Sequence, residues 1–168
     1  DFAVLEENSA TNFINSLNKT NVSQIIYLSG IINKTTNLSK HLSSRLNVEK
    51  ILQSAKANTT ILRAAIIIGS GSGSFEIIRD LAEKLPIMIT PKWLKTRCQP
   101  IAVKNVIEYL IGVIKKPKAY NKVFDIGGPD ILTYKEMLLY YAEARKLKRF
   151  IITIPVLTPR LSSYWLYF

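Results

Sequence analysis

Residues 59–85, "TTILRAAIIIGSGSGSFEIIRDLAEKL", decide the fold. The first part is apolar and β-branched, the pattern of a strand buried on both faces. A Gly/Ser run follows. The spacing then predicts a helix over "FEIIRDLAEKL", with Ser74 as its N-cap. Strand, glycine loop and helix form the repeating unit of an α/β sheet.

The alternation extends in both directions. Upstream lies a helix over "LEENSATNFINSLNK" (5–19), with Leu5, Phe13, Ile14 and Leu17 near one face. A buried strand, "VSQIIYLSGII" (22–32), and a polar loop, "NKTTNLSK" (33–40), come next. The helix "SSRLNVEKILQSAK" (43–56) follows, with Leu46, Val48, Ile51, Leu52 and Ala55 at helical spacing. Downstream, "PIMIT" (86–90) is a short strand and "PKWLKTRCQP" (91–100) a basic loop. "IAVKNVIEYLIGVIKK" (101–116) is a helix stopped by Pro117, and "KVFDIGG" (122–128) is a strand. Thr133 and Glu136 have capping-box spacing at the start of "TYKEMLLYYAEARKL" (133–147). "FIITIPV" (150–156) closes the run, and "LTPRLSSYWL" (157–166) begins another helix. Buried strands joined by crossover helices imply a partial doubly wound, Rossmann-like parallel α/β sheet with helices on both faces. With no repeat or linker, residues 1–168 read as a single domain. The opening "DFAVLEEN" and the apolar close "SSYWLYF" read as a fragment of a longer protein.

Composition narrows the function classes. The formal net charge is +11, from 23 Lys and Arg against 12 Asp and Glu. Clusters such as "KWLKTR" (92–97), "KKPK" (115–118) and "ARKLKR" (144–149) suit either an anionic partner or solvated helix ends and loops. No cluster is interleaved with aromatics on a nucleic-acid module, so no nucleic-acid partner is expected. The single cysteine, Cys98, excludes a disulfide within the chain and a cysteine-based zinc site, and suits a reducing cytoplasm. No metal site is read, and no apolar run approaches the roughly 20 residues of a membrane span.

In a doubly wound sheet, ligands meet the carboxyl ends of the strands. That points to "LSG" (28–30), "GSGSGS" (69–74) and "GGPD" (127–130). Gly69, Gly71 and Gly73 run G-x-G-x-G, which misses the G-x-G-x-x-G dinucleotide spacing, and the loop lacks a P-loop lysine. It reads either as a phosphate contact through free N–H groups or as a plain strand-to-helix connection. "IGGPD" (126–130) reads as a turn into a capped helix. His41, the only histidine, Arg45 and Glu49 share one helical face. Spacing alone describes a lone exposed imidazole beside a surface Arg45–Glu49 pair.

The ordered set of segments resembles the extended and atypical short-chain dehydrogenase/reductase superfamily. The family pattern is a Ser just past this strand, then Y-x-x-x-K, then E-x-x-L. Ser29 falls near the Ser position, His41 at the Tyr position, Arg45 at the Lys position and Glu49 at the helix Glu. "TILRAAIIIGSGSG" resembles the family's "LRP…YGPG" strand and loop beside the nicotinamide, with Ala64 where Pro is usual. "QPIAVKNVIEYLIGVI" resembles "IHVDDVA", and "KVFDIGGPDILTYKEML" resembles "YNIGGPE.lTy.E". The similarity covers residues 5 to 140. It is nearest to nucleoside-diphosphate-sugar epimerases and NAD(P)-binding reductases, with relatives among complex I accessory subunits.

The resemblance implies a cofactor, NAD or NADP in the full-length protein, and a small-molecule substrate it does not identify. It implies catalytic roles for Ser29, His41 and Arg45. It also implies cofactor contacts from Leu28, Ser29, Gly30, Arg45, Arg63, Ala64, Ala65 and Ile66. The family's G-x-x-G-x-x-G lies some 80 to 100 residues before this region and is absent from this sequence. The chain therefore corresponds to the second part of the NAD(P)-binding domain, with a raw sheet edge that favours association with another copy. Two functions follow: an NAD(P)-dependent epimerase or reductase, or a catalytically degenerate NAD(P)-binding structural or redox-sensing module.

Overall fold

A computed structural model describes residues 2–32 and 39–154. In chain order the elements are α1 (Phe2–Leu17), β1 (Gln24–Gly30), α2 (Lys40–Gln53), β2 (Asn58–Ala64), β3 (Ile67–Ile68), α3 (Gly73–Lys84) and β4 (Ile87–Pro91). After a 3-10 turn at Lys92–Lys95 come β5 (Arg97–Cys98), β6 (Ile101–Ala102) and α4 (Val103–Gly112). A second 3-10 turn at Pro117–Ala119 precedes β7 (Lys122–Ile126), β8 (Leu132–Thr133), α5 (Tyr134–Ala144) and β9 (Phe150–Ile154). The fold is mixed α/β, with parallel strands and five helices among the described residues.

The chain forms two compact units. The first takes the chain up to Ala65 together with Val103–Gly127. Its sheet has the order β1-β2-β7, all parallel. The central strand β2 is the most buried: Thr59, Thr60, Ile61 and Leu62 are sealed from solvent. The two threonine hydroxyls are satisfied by donating to Leu52 O and Ala119 O, both at 2.9 Å. On β1, Ile25 packs with Ala10, Ile14 and Leu17 of α1 and with Val48 and Leu52 of α2. The expected α1 face is corrected at two positions. Leu5 is 65% and Phe13 49% exposed, and Ala10 takes their place in the core. β7 is an edge strand with four of its five residues exposed, not a buried one.

The second unit takes Ile66–Ala102 and the chain from Gly128. Here β4 pairs with β9 and β3 with β6, both parallel, and β5 pairs antiparallel with β8. Its core joins Ile66, Ile78, Ala82, Met88, Leu94, Met137 and Leu138. The strand expected over residues 59–69 is thus two strands: β2 ends at Ala64, and β3 belongs to the other unit. Periodicity does not mark that break, because both halves are apolar.

Local chemistry accounts for the helix ends. Helix α3 begins at Gly73 with Ser72 as N-cap, two residues before the expected Ser74. Gly71 sits at φ 84°, a conformation glycine adopts at little cost, and this turns the chain early. Helix α5 has the expected capping box. Thr133 Oγ1 accepts from Glu136 N at 3.1 Å, and Glu136 Oε2 accepts from Thr133 N at 2.7 Å. Gly128 closes the "IGGPD" turn by donating to Pro100 O at 2.9 Å, and a side-chain carbon at Gly128 would collide with that oxygen. The expected helix 101–116 starts at Val103, because Ile101 and Ala102 pair with β3. The 157–166 helix and most of the 33–40 loop lie outside the described residues.

Candidate functional site

The parallel register levels the carboxyl ends of β1 and β2. Ser29 lies opposite Arg63, and Gly30 opposite Ala64. Leu28, Ser29, Gly30, Arg63, Ala64 and Ala65 are therefore brought to one end of the first unit's sheet. Ile66 is not, since it belongs to the second unit's core, where its carbonyl accepts from Ile101 N at 2.9 Å.

Ser29 is 7% exposed, and its Oγ has no hydrogen-bond partner. It is the one such buried side-chain atom among the described residues. Leaving a buried hydroxyl unpaired costs on the order of 1–3 kcal/mol, so the atom calls for a partner the chain does not supply. Gly30, next in the strand, leaves the neighbouring backbone open except for Leu42, whose Cδ2 would be 3.9 Å from an added Cβ.

Helix α2 carries the rest. Ser39 caps it, its side chain accepting from Leu42 N. His41 stands exposed in the first turn, its ring edge-on to Phe2 with centroids 5.4 Å apart. No hydrogen bond joins it to Ser29 Oγ. Arg45 Nη1 donates to Tyr27 Oη at 3.2 Å, and Nη2 lies 3.4 Å from Glu6 Oε1. Glu6 is held in place by Ser44 Oγ, which donates to its Oε2 at 2.5 Å. The Tyr27 hydrogen bond, with help from Glu6, raises the Arg45 pKa, so the guanidinium is always charged. At 45% exposure its remaining N–H groups can still reach a ligand.

The Arg45–Glu49 surface pair suggested by spacing does not form. Glu49 is buried, 2% exposed, and takes a two-pronged bond from Arg63: Nε to Oε1 at 3.0 Å and Nη2 to Oε2 at 2.5 Å. That bond raises the Arg63 pKa, and Asp125, opposite Arg63 in register, adds to the effect. Arg63 is thus committed to Glu49, and a cofactor contact from it would use only what that bond leaves. Tyr27 and Glu6 were missed as partners because the meeting of α1, α2 and β1 has no local signature. Tyr27 could have been found from its two-residue offset to Ser29, which puts both on one strand face.

The glycine loop ahead of α3 is already engaged. Gly71 N donates to Glu76 Oε1 at 3.2 Å, so the chain's own carboxylate occupies a group a phosphate would use. Burial pushes the Cys98 thiol up, which makes it an ordinary thiol rather than a nucleophile. No group of three or more His, Cys, Asp or Glu able to hold a metal occurs among the described residues. No described helix is long and apolar enough to cross a membrane.

No protein-family model matches the chain. No protein of curated function matches it. Solved structures do. An epimerase, Mth375, from Methanothermobacter thermautotrophicus is 11% identical, with 90% of this chain on 53% of that one and a TM-score of 0.73. The UDP-glucuronic acid 4-epimerase of Bacillus cereus, in complex with UDP-glucuronic acid and NAD, is 11% identical over 89% of this chain and 54% of that one, TM-score 0.69. A short-chain dehydrogenase/reductase superfamily protein from Agrobacterium tumefaciens with bound NAD is 12% identical over 89% and 60%, TM-score 0.67. The chain spans little more than half the length of these structures. The likeness shows the fold: a Rossmann-like α/β fold similar to that of these structures.

Proposed function

We propose that this chain is the second part of an NAD(P)-binding protein of the short-chain dehydrogenase/reductase type, acting in its full-length form as a nucleoside-diphosphate-sugar epimerase or reductase. The observation that carries the reading is the orphaned Ser29 Oγ, buried at the carboxyl end of β1, with a permanently charged Arg45 on the packed helix α2. The residues present fit the nicotinamide end of a dinucleotide: a buried hydroxyl lacking a partner, a small Gly30, and a cation. The pyrophosphate cradle is supplied by no G-x-x-G-x-x-G in this sequence.

A bound nicotinamide would supply hydride transfer. Ser29 then orients a substrate oxygen through its free hydroxyl. His41 exchanges a proton with that oxygen, in place of the tyrosine usual at its position. Arg45 binds ribose hydroxyls but keeps its own proton. Because Arg45 is shared with Tyr27 and Glu6, and His41 rests on Phe2, a second reading has its own support: a module that binds NAD(P) and has lost turnover.

NADPH-dependent carbonyl reduction by the full-length protein and its His41→Phe variant separates the two. A loss of about 100-fold or more in kcat supports the acid/base role. Turnover unchanged by His41→Phe removes that role, and cofactor binding without turnover in the wild type supports the second reading.

A further inference from the structure

Three loops meet at the amino end of the first unit's parallel sheet, opposite the end that carries Ser29 and Arg63. Residues 18–23 lead into β1, residues 54–57 into β2 and residues 113–121 toward β7. Side-chain amides tie the loops together. Asn18 Oδ1 accepts from Lys56 N at 3.2 Å, and Asn58 Nδ2 donates to Ser23 O at 3.3 Å. Gln24 Nε2 donates to Val113 O at 2.9 Å, while its Oε1 accepts from Lys115 N at 2.8 Å. Asn121 Oδ1 accepts from Thr59 N at 3.0 Å. With the first residue of each strand, these loops carry six exposed lysines, Lys19, Lys56, Lys115, Lys116, Lys118 and Lys122, and no acidic residue. None of the six forms an ion pair among the described residues. Helices α1, α2 and α4 end here, and a helix C-terminus favours a cation. That effect fades within the last turn, which in none of the three helices holds one of the six. Two apolar side chains in the same loops, Val22 and Ile114, are each 48% exposed.

We propose that this end of the sheet docks reversibly on an anionic lipid bilayer, with the lysines at the headgroups and Val22 and Ile114 at the acyl boundary. The proposal goes beyond the dinucleotide reading and does not rest on it. Charge complementarity carries it: each lysine held at an anionic surface strengthens binding about fivefold. The residue types favour a bilayer over a nucleic acid. All six cations are lysines, point charges without the guanidinium fork that grips a phosphate or a base edge. The one aromatic residue of the three loops, Tyr120, is half-buried, so no ring platform is offered to a base. Exposed aliphatic side chains among cations instead suit an interface where apolar groups leave water beside charged headgroups.

Flotation of the full-length protein with lipid vesicles tests this. Phosphatidylcholine vesicles containing about 30% phosphatidylserine are expected to bind it about 10-fold or more tightly than pure phosphatidylcholine. Raising the salt from roughly 0.1 to 0.5 M weakens that binding by about 10-fold or more. Lys115→Gln/Lys116→Gln/Lys118→Gln weakens it by about 10-fold or more with the circular dichroism spectrum unchanged. Removing as many charges from the second unit, in Lys92→Gln/Lys95→Gln/Lys148→Gln, changes it by less than about 2-fold. The lipid and salt comparisons use the wild-type protein alone, so they stand whether or not a variant folds. Equal binding to both kinds of vesicle, or undiminished binding by the first triple variant, overturns the proposal. Displacement of the bound protein by duplex DNA at equal phosphate concentration also overturns it and assigns the surface to nucleic acid.

Discussion

Replacing Arg63 by methionine removes the partner of a buried carboxylate. Glu49 has 2% of its side chain exposed and accepts both prongs of the Arg63 guanidinium, itself 19% exposed. Methionine preserves much of the stem's packing and deletes the charge. Glu49 is then left as an uncompensated ion beneath α2. Removing one member of a buried pair costs about 3–5 kcal/mol. Arg63 keeps some solvent contact, so the lower end, about 3 kcal/mol, is expected. The double variant Arg63→Met/Glu49→Leu removes the stranded charge as well and should recover to within about 1 kcal/mol of wild type. Urea unfolding of the wild type, both single variants and the double variant, followed by far-UV circular dichroism, gives the full cycle. A cost below about 1 kcal/mol for Arg63→Met, or a double variant as unstable as the single, refutes the reasoning. Either would mean that water reaches Glu49.

Other outcomes follow from local geometry. Gly128→Ala forces a methyl onto Pro100 O and should lower stability by about 1–3 kcal/mol in the same assay. Thr133→Ala removes a cap worth about 1 kcal/mol. The backbone N–H of Thr133, and then its hydroxyl, hold the Glu136 carboxyl below its usual range. A carboxyl lowered on folding stabilises above its unfolded pKa of about 4.3, and that contribution is lost as pH falls through the lower folded value. The difference in melting temperature between wild type and Glu136→Gln should therefore hold from pH 7 to about 5 and shrink below about 4.

Much of the fold is legible because its signals are local. The Thr133/Glu136 spacing predicts a capping box, and the box forms. The "IGGPD" turn is readable because Gly and Pro act through the backbone itself. Three features are not readable for the same physical reason. The split of residues 59–69 between two units depends on which partner each half finds, and both halves are equally apolar. The Glu49 carboxylate follows tertiary packing to Arg63 rather than its helical neighbour Arg45. Arg45 in turn meets Glu6, thirty-nine positions away, through the packing of α1 on α2. At the site, sequence order brings Ser29, Gly30, Arg63 and Ala64 to one sheet end, as the parallel register requires. It does not anticipate Tyr27 beneath Arg45.

The central claim is that the full-length protein binds a nicotinamide dinucleotide beside Ser29 and Arg45. Calorimetric titration of NADH and NADPH into that protein, with Arg45→Ala and Ser29→Ala in parallel, tests it most directly. The account predicts saturable binding of at least one of the two cofactors, weakened about 10-fold or more by Arg45→Ala while the fold is unchanged by circular dichroism. Absence of binding for both cofactors in the wild-type protein contradicts it.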